Sequence, residues 1–280
     1  MNIQQNQRWR KGYGKTFLAI LFVTIYLFPV YWMVATSLKS SADIFAVPPK
    51  LIPVPPDVRS YIDEVLHNSR LLTVFVNSII ISLGTTVLTL LLAIPGAYGL
   101  CRLRLRGSGI ILLILLVGQL LPSIVIAGPL FLIFSRMGLL NSFVGLILAD
   151  TTFTLPFSVI ILRPFFLTVP AELEAAAKVD GCTQFGVLWR IVIPYVRPGI
   201  ITVAALSFLI AWGEFVFAVS LNTKSHQPVT VALNNFIGQY GTDWNNMMAV
   251  STVVAVPIIL VFASLQKFIV GGLTSGAVKE

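Results

Sequence analysis

From Pro170 to Pro194 the chain reads PAELEAAAKVDGCTQFGVLWRIVIP. Pro170 has no N–H to leave unpaired and suits the first turn of a helix, with Glu172 and Glu174 near that helix's positive end. Ala175, Ala176 and Ala177 favour helix and leave a low-profile surface. Gly181, after Asp180, is a natural terminator, because the residue past a helix end often turns left-handed and glycine does so without strain. Thr183 can then cap a second short helix, with Phe185, Leu188, Trp189 and Val192 on one face and a stop before Pro194. The stretch therefore predicts two short helices at an angle. Taken alone, such a pair suits another protein's groove or an amphipathic hairpin on a membrane surface.

The surrounding chain is far more apolar. Of 280 residues, 56% are hydrophobic and 11% charged, and the mean hydropathy is +0.90. A soluble domain needs a larger charged surface, so the bilayer is the main solvent. Six segments are long and apolar enough to cross it: Thr16–Leu38, Leu72–Cys101, Ser108–Phe134, Ser142–Leu167, Gly199–Leu221 and Met247–Val270. They are continuously apolar rather than alternating, which indicates helices and not barrel strands. The first follows Arg8, Arg10, Lys11 and Lys15, but no small-residue cleavage site comes after it and it exceeds a signal peptide's apolar core, so it reads as a retained span. The expected fold class is an all-α polytopic membrane protein with six transmembrane helices.

Basic residues set the orientation. With the N-terminus inside, thirteen of the 19 Lys and Arg residues fall on the cytoplasmic side and six outside, with Arg102, Arg104 and Arg106 crowded into one short inner loop. Both termini are therefore expected in the cytoplasm. Residues 1–15 form a basic N-terminal segment, 16–270 the transmembrane domain with an inner loop at 170–198, and 271–280 a cytoplasmic tail. The net charge of +8 follows from this topology and from anionic lipid, and calls for no nucleic-acid partner. Cys101 and Cys182 both fall on the reducing side, so free thiols are expected. His67 and His226 lack neighbours at metal-ligand spacing.

Between the helices, Pro48, Pro49, Pro53, Pro55 and Pro56 predict an extended start to the first outer loop. The last outer loop carries Asn234, Asn235, Gln239, Tyr240, Asp243 and Trp244. Amides beside aromatics can hold sugar hydroxyls and stack on sugar faces, or form an interfacial belt. Pro95, Pro122, Pro129, Pro156 and Pro257 lie well inside apolar segments and predict kinks. Two carboxylates lie within spans, where a charge at mid-bilayer costs at least about 2.5 kcal/mol. Asp150 shares a helix face with Thr154, and Glu214 lies beside Trp212, while Phe208, Trp212 and Phe215 form an aromatic stripe at helical spacing. Both acids fit a polar cavity or pairing between helices.

The inner loop resembles the EAA loop of ABC importer permeases, in which a Gly is followed by nine residues and then I-x-L-P. Gly181, nine residues, and Ile191-Val192-Ile193-Pro194 fit that spacing. The family's Glu falls on Ala175, with Glu174 one position earlier. The resemblance covers nearly the whole chain and narrows to the carbohydrate branch, similar to the second membrane subunit of maltose-type importers. It is carried there by Asn77-Ser78, Leu155-Pro156-Phe157, Trp212–Phe215, Tyr240–Trp244 and the end at Gly272–Lys279; Gly213 stands where Asn is common.

The resemblance implies a permease fold, a heterodimer with a homologous permease, two ATPase subunits that hold ATP and Mg, and an extracytoplasmic solute-binding protein. It implies ATPase coupling at Glu172, Glu174, Ala175, Ala176, Ala177, Asp180, Gly181, Phe185 and Pro194. Asn77, Asp150, Thr154, Phe208, Trp212 and Glu214 are the candidate solute pathway, and Asn234, Asn235, Gln239, Tyr240, Asp243 and Trp244 the candidate docking surface for the binding protein. No catalytic, cofactor or metal site is expected on this chain. Gly14-Lys15-Thr16 mimics the end of a phosphate-binding loop, but Trp9 replaces its first Gly and a span follows. The rival readings are an ion-coupled carrier using Asp150 and Glu214, or a membrane-embedded glycosyltransferase.

Overall fold

A computed structural model describes residues 3–103, 107–238 and 241–275. In chain order the helices are α1 (Ile3–Ser37), α2 (Ser41–Ile44), a π-helical turn (Tyr61–Leu66), α3 (Ser69–Arg102), α4 (Ser108–Gln119), α5 (Ser123–Met137), α6 (Phe143–Leu167) and α7 (Ala171–Val179). They continue with α8 (Gln184–Val187), a second π-helical stretch (Leu188–Val192), α9 (Ile193–Tyr195), α10 (Arg197–Trp212), α11 (Val216–Leu221) and α12 (Val229–Asn234). A two-residue-per-strand hairpin, β1 (Ile237–Gly238) with β2 (Gly241–Thr242), precedes α13 (Trp244–Ser275).

Among the described residues, four helical stretches are long and apolar enough to cross a membrane: Gly14–Ser37, Ser69–Arg102, Phe143–Leu167 and Trp244–Phe268. The total reaches 6 if two bent pairs each count as one span. The first bent pair corrects the expectation of an unbroken helix over Ser108–Phe134. α4 and α5 meet at 100°, and Pro122, with no N–H to donate and an extended ψ of 139°, stands at the corner. The second joins Gln184–Tyr195 to α10 at 81°, just ahead of Arg197-Pro198.

The expected segment Gly199–Leu221 is also interrupted. α10 ends at Trp212, Gly213 is its C-cap, and α11 starts only at Val216. The expected stripe of Phe208, Trp212 and Phe215 is therefore cut: Phe208 stacks on Trp212 at 5.6 Å, while Phe215 lies beyond the helix end. Of the five prolines expected to kink helices, only Pro122 marks a break. Pro95, Pro129, Pro156 and Pro257 sit inside continuous helices.

The chain divides into two compact units, residues 1–69 with 235–255, and residues 70–234 with 256–280. In the first, the Asn245 side chain donates to the Lys39 carbonyl and accepts from the Ser41 hydroxyl at 3.1 Å, tying the end of α1 to the start of α13. The Lys39 ammonium lies 3.9 Å over the Trp32 ring, a cation–π contact that accompanies its burial. Tyr31 donates to the carbonyl of Leu51 at 2.8 Å. The proline-rich stretch from 46 to 58 is irregular, as its composition requires.

The second unit has two apolar cores. One joins Ala93, Ala97 and Tyr98 of α3 to Leu162 and Phe166 of α6 and to Val187, Leu188 and Val192. The other joins Ile81, Ala127, Leu146, Phe217 and Leu221. Small polar side chains link the helices, as is usual where lipid gives no hydrophobic drive for association. The Thr89 and Thr154 hydroxyls are 2.6 Å apart, those of Ser158 and Ser207 3.2 Å, and Thr202 donates to the Phe268 carbonyl at 2.9 Å. At Gly199 the backbone of α10 comes so close to α6 that a Cβ would stand 2.5 Å from the Phe165 ring.

Candidate functional site

The stretch after Pro170 folds as two short helices. Thr183 caps the second, accepting from the Gly186 N–H at 3.2 Å. The first ends in a Schellman motif: the Cys182 N–H donates to the Ala177 carbonyl at 2.9 Å and the Gly181 N–H to that of Lys178 at 3.1 Å. Gly181 reaches this geometry with φ of +84°, and no atom lies within 4 Å of where its Cβ would be. Its requirement is conformational, not spatial.

α7 has two distinct sides. Glu174 and Ala177 point inward, three residues apart and so on one face, while Glu172, Leu173, Ala175, Ala176, Lys178, Val179 and Asp180 are exposed. Val179 is 87% exposed and Glu174 6%. The position where the resemblance places its Glu, Ala175, is on the outer side. Glu174 is turned roughly 100° away from it. The outward acids are Glu172 and Asp180.

Glu174 meets two partners within the chain, Arg102 and Tyr98. Its Oε1 lies 2.7 Å from Arg102 Nε, an ion pair by distance although the N–H does not point squarely at the oxygen. Tyr98 donates to Oε2 at 2.9 Å, and the Gln184 amide donates to the Tyr98 hydroxyl at 2.6 Å. Arg102 also donates to the Val169 carbonyl. One network thus holds the end of α3, the start of α7 and the start of α8. Sequence reasoning did not find Tyr98, Arg102 or Gln184, which are remote from Glu174 in the chain or unremarkable in type.

The second short helix departs from the single face expected. Leu188 and Val192 enter the core, while Phe185 (69% exposed) and Trp189 stay outside, their rings 5.8 Å apart. The π-helical stretch Leu188–Val192 widens the turn there, so the four apolar positions cannot share one stripe. The two aromatics border an apolar hollow of about 310 Å³ beside Val87, Leu91 and Pro95 of α3. Pro194 lies exposed in α9. Cys101 and Cys182 are free thiols.

Asp150 and Glu214 meet at one cavity of about 270 Å³, bounded also by Ser123, Phe153, Gly213 and Phe215. Asp150 is 3% exposed, and its Oδ1 has no hydrogen-bond partner among the described residues. Glu214 is occupied. Its carboxylate accepts from the Phe217 N–H at 2.9 Å and the Ala218 N–H at 3.1 Å, satisfying the first turn of α11, and its carbonyl accepts from Thr230 Oγ1 at 2.8 Å. The helix break at Gly213–Phe215 is what brings this acid to the cavity wall. No sequence signal located Ser123 or Phe153 there.

The other pathway candidates lie elsewhere. The Asn77 amide donates to the Gln227 carbonyl at 3.0 Å, Thr154 is engaged with Thr89, and Trp212 is sealed between Phe208 and the edge of Phe75. Asn234, Asn235 and Trp244 are exposed, and Asp243 accepts from the Asn246 side chain at 2.8 Å at the start of α13. Gln239 and Tyr240 lie outside the described residues. Among the described residues no group of His, Cys, Asp and Glu could hold a metal ion.

The pattern shared by the family described as binding-protein-dependent transport system inner membrane components matches residues 101–274, the region that holds the paired short helices and the cavity. The chain belongs to that family. This inner membrane component is 34% identical over 254 residues to the sulfoquinovosyl glycerol transport system permease protein of Agrobacterium fabrum, covering 90% of this chain and 89% of the relative. It is 36% identical over 265 residues to the trehalose transport system permease protein of Mycobacterium tuberculosis, with 94% and 96% covered. Its fold is that of a chain in the crystal structure of a bacterial ABC transporter involved in the import of alginate, with a TM-score of 0.78 at 24% identity, covering 95% and 98% of the two chains. It is therefore a predominantly helical, multi-pass inner membrane protein with the permease fold.

Proposed function

We propose that this inner membrane component forms half of the translocation pathway of an ATP-driven sugar importer and couples to separate ATPase subunits through residues 170–198. The observation that supports this most is α7: a short helix, stopped by Gly181, that exposes Leu173, Ala175, Ala176 and Val179 while its one buried acid binds it to a spanning helix. An exposed apolar surface with a rigid root is suited to lie in a partner's cleft and move with it. Relatives named for trehalose and sulfoquinovosyl glycerol transport support a carbohydrate cargo.

In this reading a second, homologous permease supplies the other half of the pathway. Two ATPase subunits bind ATP and Mg, and this chain performs no chemistry itself. A solute-binding protein docks on the outer loops that carry Asn234, Asn235, Asp243 and Trp244. A structure of similar fold, solved as an alginate transporter with a substrate-bound periplasmic protein, lends such docking a precedent in that protein. Nucleotide state biases one membrane conformation over the other, as alternating access requires. The test is uptake into proteoliposomes carrying the assembled complex. Accumulation that needs ATP and its binding protein, and that survives an uncoupler, is expected; accumulation that follows an ion gradient without ATP sinks the reading.

A further inference from the structure

α7 buries two residues, Glu174 and Ala177, one turn apart on its inner side. Ala177 adds a single methyl group to the apolar core, so the polar grip of α7 on other helices falls to Glu174. Its Oε1 faces Arg102 and its Oε2 accepts from Tyr98, two side chains four residues apart on one face of α3. The Tyr98 ring stands edge-on to Phe166 of α6 at 5.9 Å, and its hydroxyl accepts from Gln184 at the start of α8. Arg102 also donates to the Val169 carbonyl, just ahead of α7. In the chain, α4, α5 and α6 separate α3 from α7. The carboxylate thus joins the exposed helix to a span that the backbone does not connect to it directly.

We propose that Glu174 is a positioning residue and not an ATPase contact: with Arg102 and Tyr98 it forms a joint that carries a displacement of α7 into α3. This rests on the importer reading above. At 6% exposure Glu174 offers a partner almost no surface, and it reaches an outside cation only by giving up both of its contacts. The acids that α7 exposes are Glu172 and Asp180. Pulling α7 away from α3 strands two charges in a poorly solvated site, so the two helices moving as one body is the lower-energy path. Apolar side chains of similar volume hold helices together as well as a buried ion pair does, so the value of this pair lies in the geometry it fixes.

The test uses the assembled importer in lipid vesicles, with Cys101 and Cys182 replaced by Ser, and needs no cargo. Ser123→Cys, on the cavity wall, reports how the spans respond to nucleotide. Its labelling by N-ethylmaleimide, read from the mass of this chain, is timed with and without the non-hydrolysable analogue AMP-PNP. A several-fold change in rate is expected in this parent complex. Glu174→Leu and Arg102→Met, on different helices, should each shrink that change several-fold, and the double variant should recover most of it, because removing both charges strands neither. Tyr98→Phe keeps the ring and loses the hydroxyl's bonds, so it should shrink the change by a smaller factor. All of these complexes should retain their ATPase subunits on purification, since the outer face of α7 is unaltered. A defect or a loss of ATPase confined to Glu174→Leu makes Glu174 a direct ATPase contact and overturns the proposal. Single variants that respond like the parent overturn it too, as does a double variant no better than the singles; in these cases the importer reading stands. A parent complex that holds no ATPase or ignores nucleotide defeats the importer reading and the proposal together.

Discussion

Glu174 on α7 and Arg102 at the end of α3 form an ion pair at 2.7 Å, so the exposed helix moves only if a spanning helix moves with it or the pair breaks. The side chains are 8% and 19% exposed, and Tyr98 donates to the same carboxylate. Removing one partner of such a pair leaves the other charge stranded. Removing both need not be costly.

Glu174→Leu is therefore expected to loosen α7 by about 2 kcal/mol, allowing for the partial exposure of Arg102. Amide exchange over 171–182 should accelerate by about 30-fold. The double variant Glu174→Leu with Arg102→Met should recover much of the loss. Unchanged exchange in the single variant would show that the pair does not hold the helix.

Gly181 has φ of +84° with open space where a Cβ would go. Gly181→Val should strain the helix end by about 1–2 kcal/mol, and Gly181→Asn, which tolerates the left-handed region, by less. The expected phenotype is ATP hydrolysis that persists while uptake falls, more severely for Val than for Asn. Full uptake by Gly181→Val in the assembled complex would argue against coupling through this turn.

Gly199 presents the opposite case, where space decides. A Cβ there would stand 2.5 Å from the Phe165 ring, so Gly199→Leu should cost about 1–3 kcal/mol by separating α10 from α6. A fall in thermal stability, partly restored by Phe165→Ala, checks this. Equal melting of Gly199→Leu and the parent protein would contradict it.

In the first outer loop, Asp57 accepts from the Arg59 side chain at 2.7 Å and from its backbone N–H at 3.0 Å. These bonds, with the Arg59 charge, lower its carboxyl from an ordinary 3.8 to about 2. The shift is downward, so its contribution to loop order is complete above about pH 4 and is lost as the pH falls through about 2. Exchange at the Arg59 amide, corrected for its intrinsic rate, should accelerate across that window and should be fast at all pH values in Asp57→Ala. A flat corrected profile would remove the carboxylate as the cause.

Much of the fold was legible because lipid leaves a chain few choices. Long uncharged runs must form helices to satisfy their own backbone, so the apolar segments appear directly in composition. The paired short helices were legible too, since Gly181 and Thr183 act through their own backbone geometry and capping. The breaks were less so: Pro122 ends a helix while Pro95 and Pro156 do not, because a proline's effect depends on whether packed neighbours hold the helix through it.

The candidate site divides in the same way. Asp150 and Glu214 stand out in sequence because charge in an apolar segment is costly wherever it lies, but their meeting at one cavity requires the interruption of α10 at Gly213. The orientation of Glu174 likewise depends on Tyr98 and Arg102, which arrive from another helix.

What the amino-acid sequence determined alone were the properties governed by local chemistry and by solvent: helical spans, a glycine-stopped helix, and the scarcity of charge. Tertiary structure decided which acid is buried and which is exposed, which carboxylate lacks a donor, and where a helix gives way. Those outcomes depend on distances between groups far apart along the chain, and a one-dimensional pattern does not contain such distances.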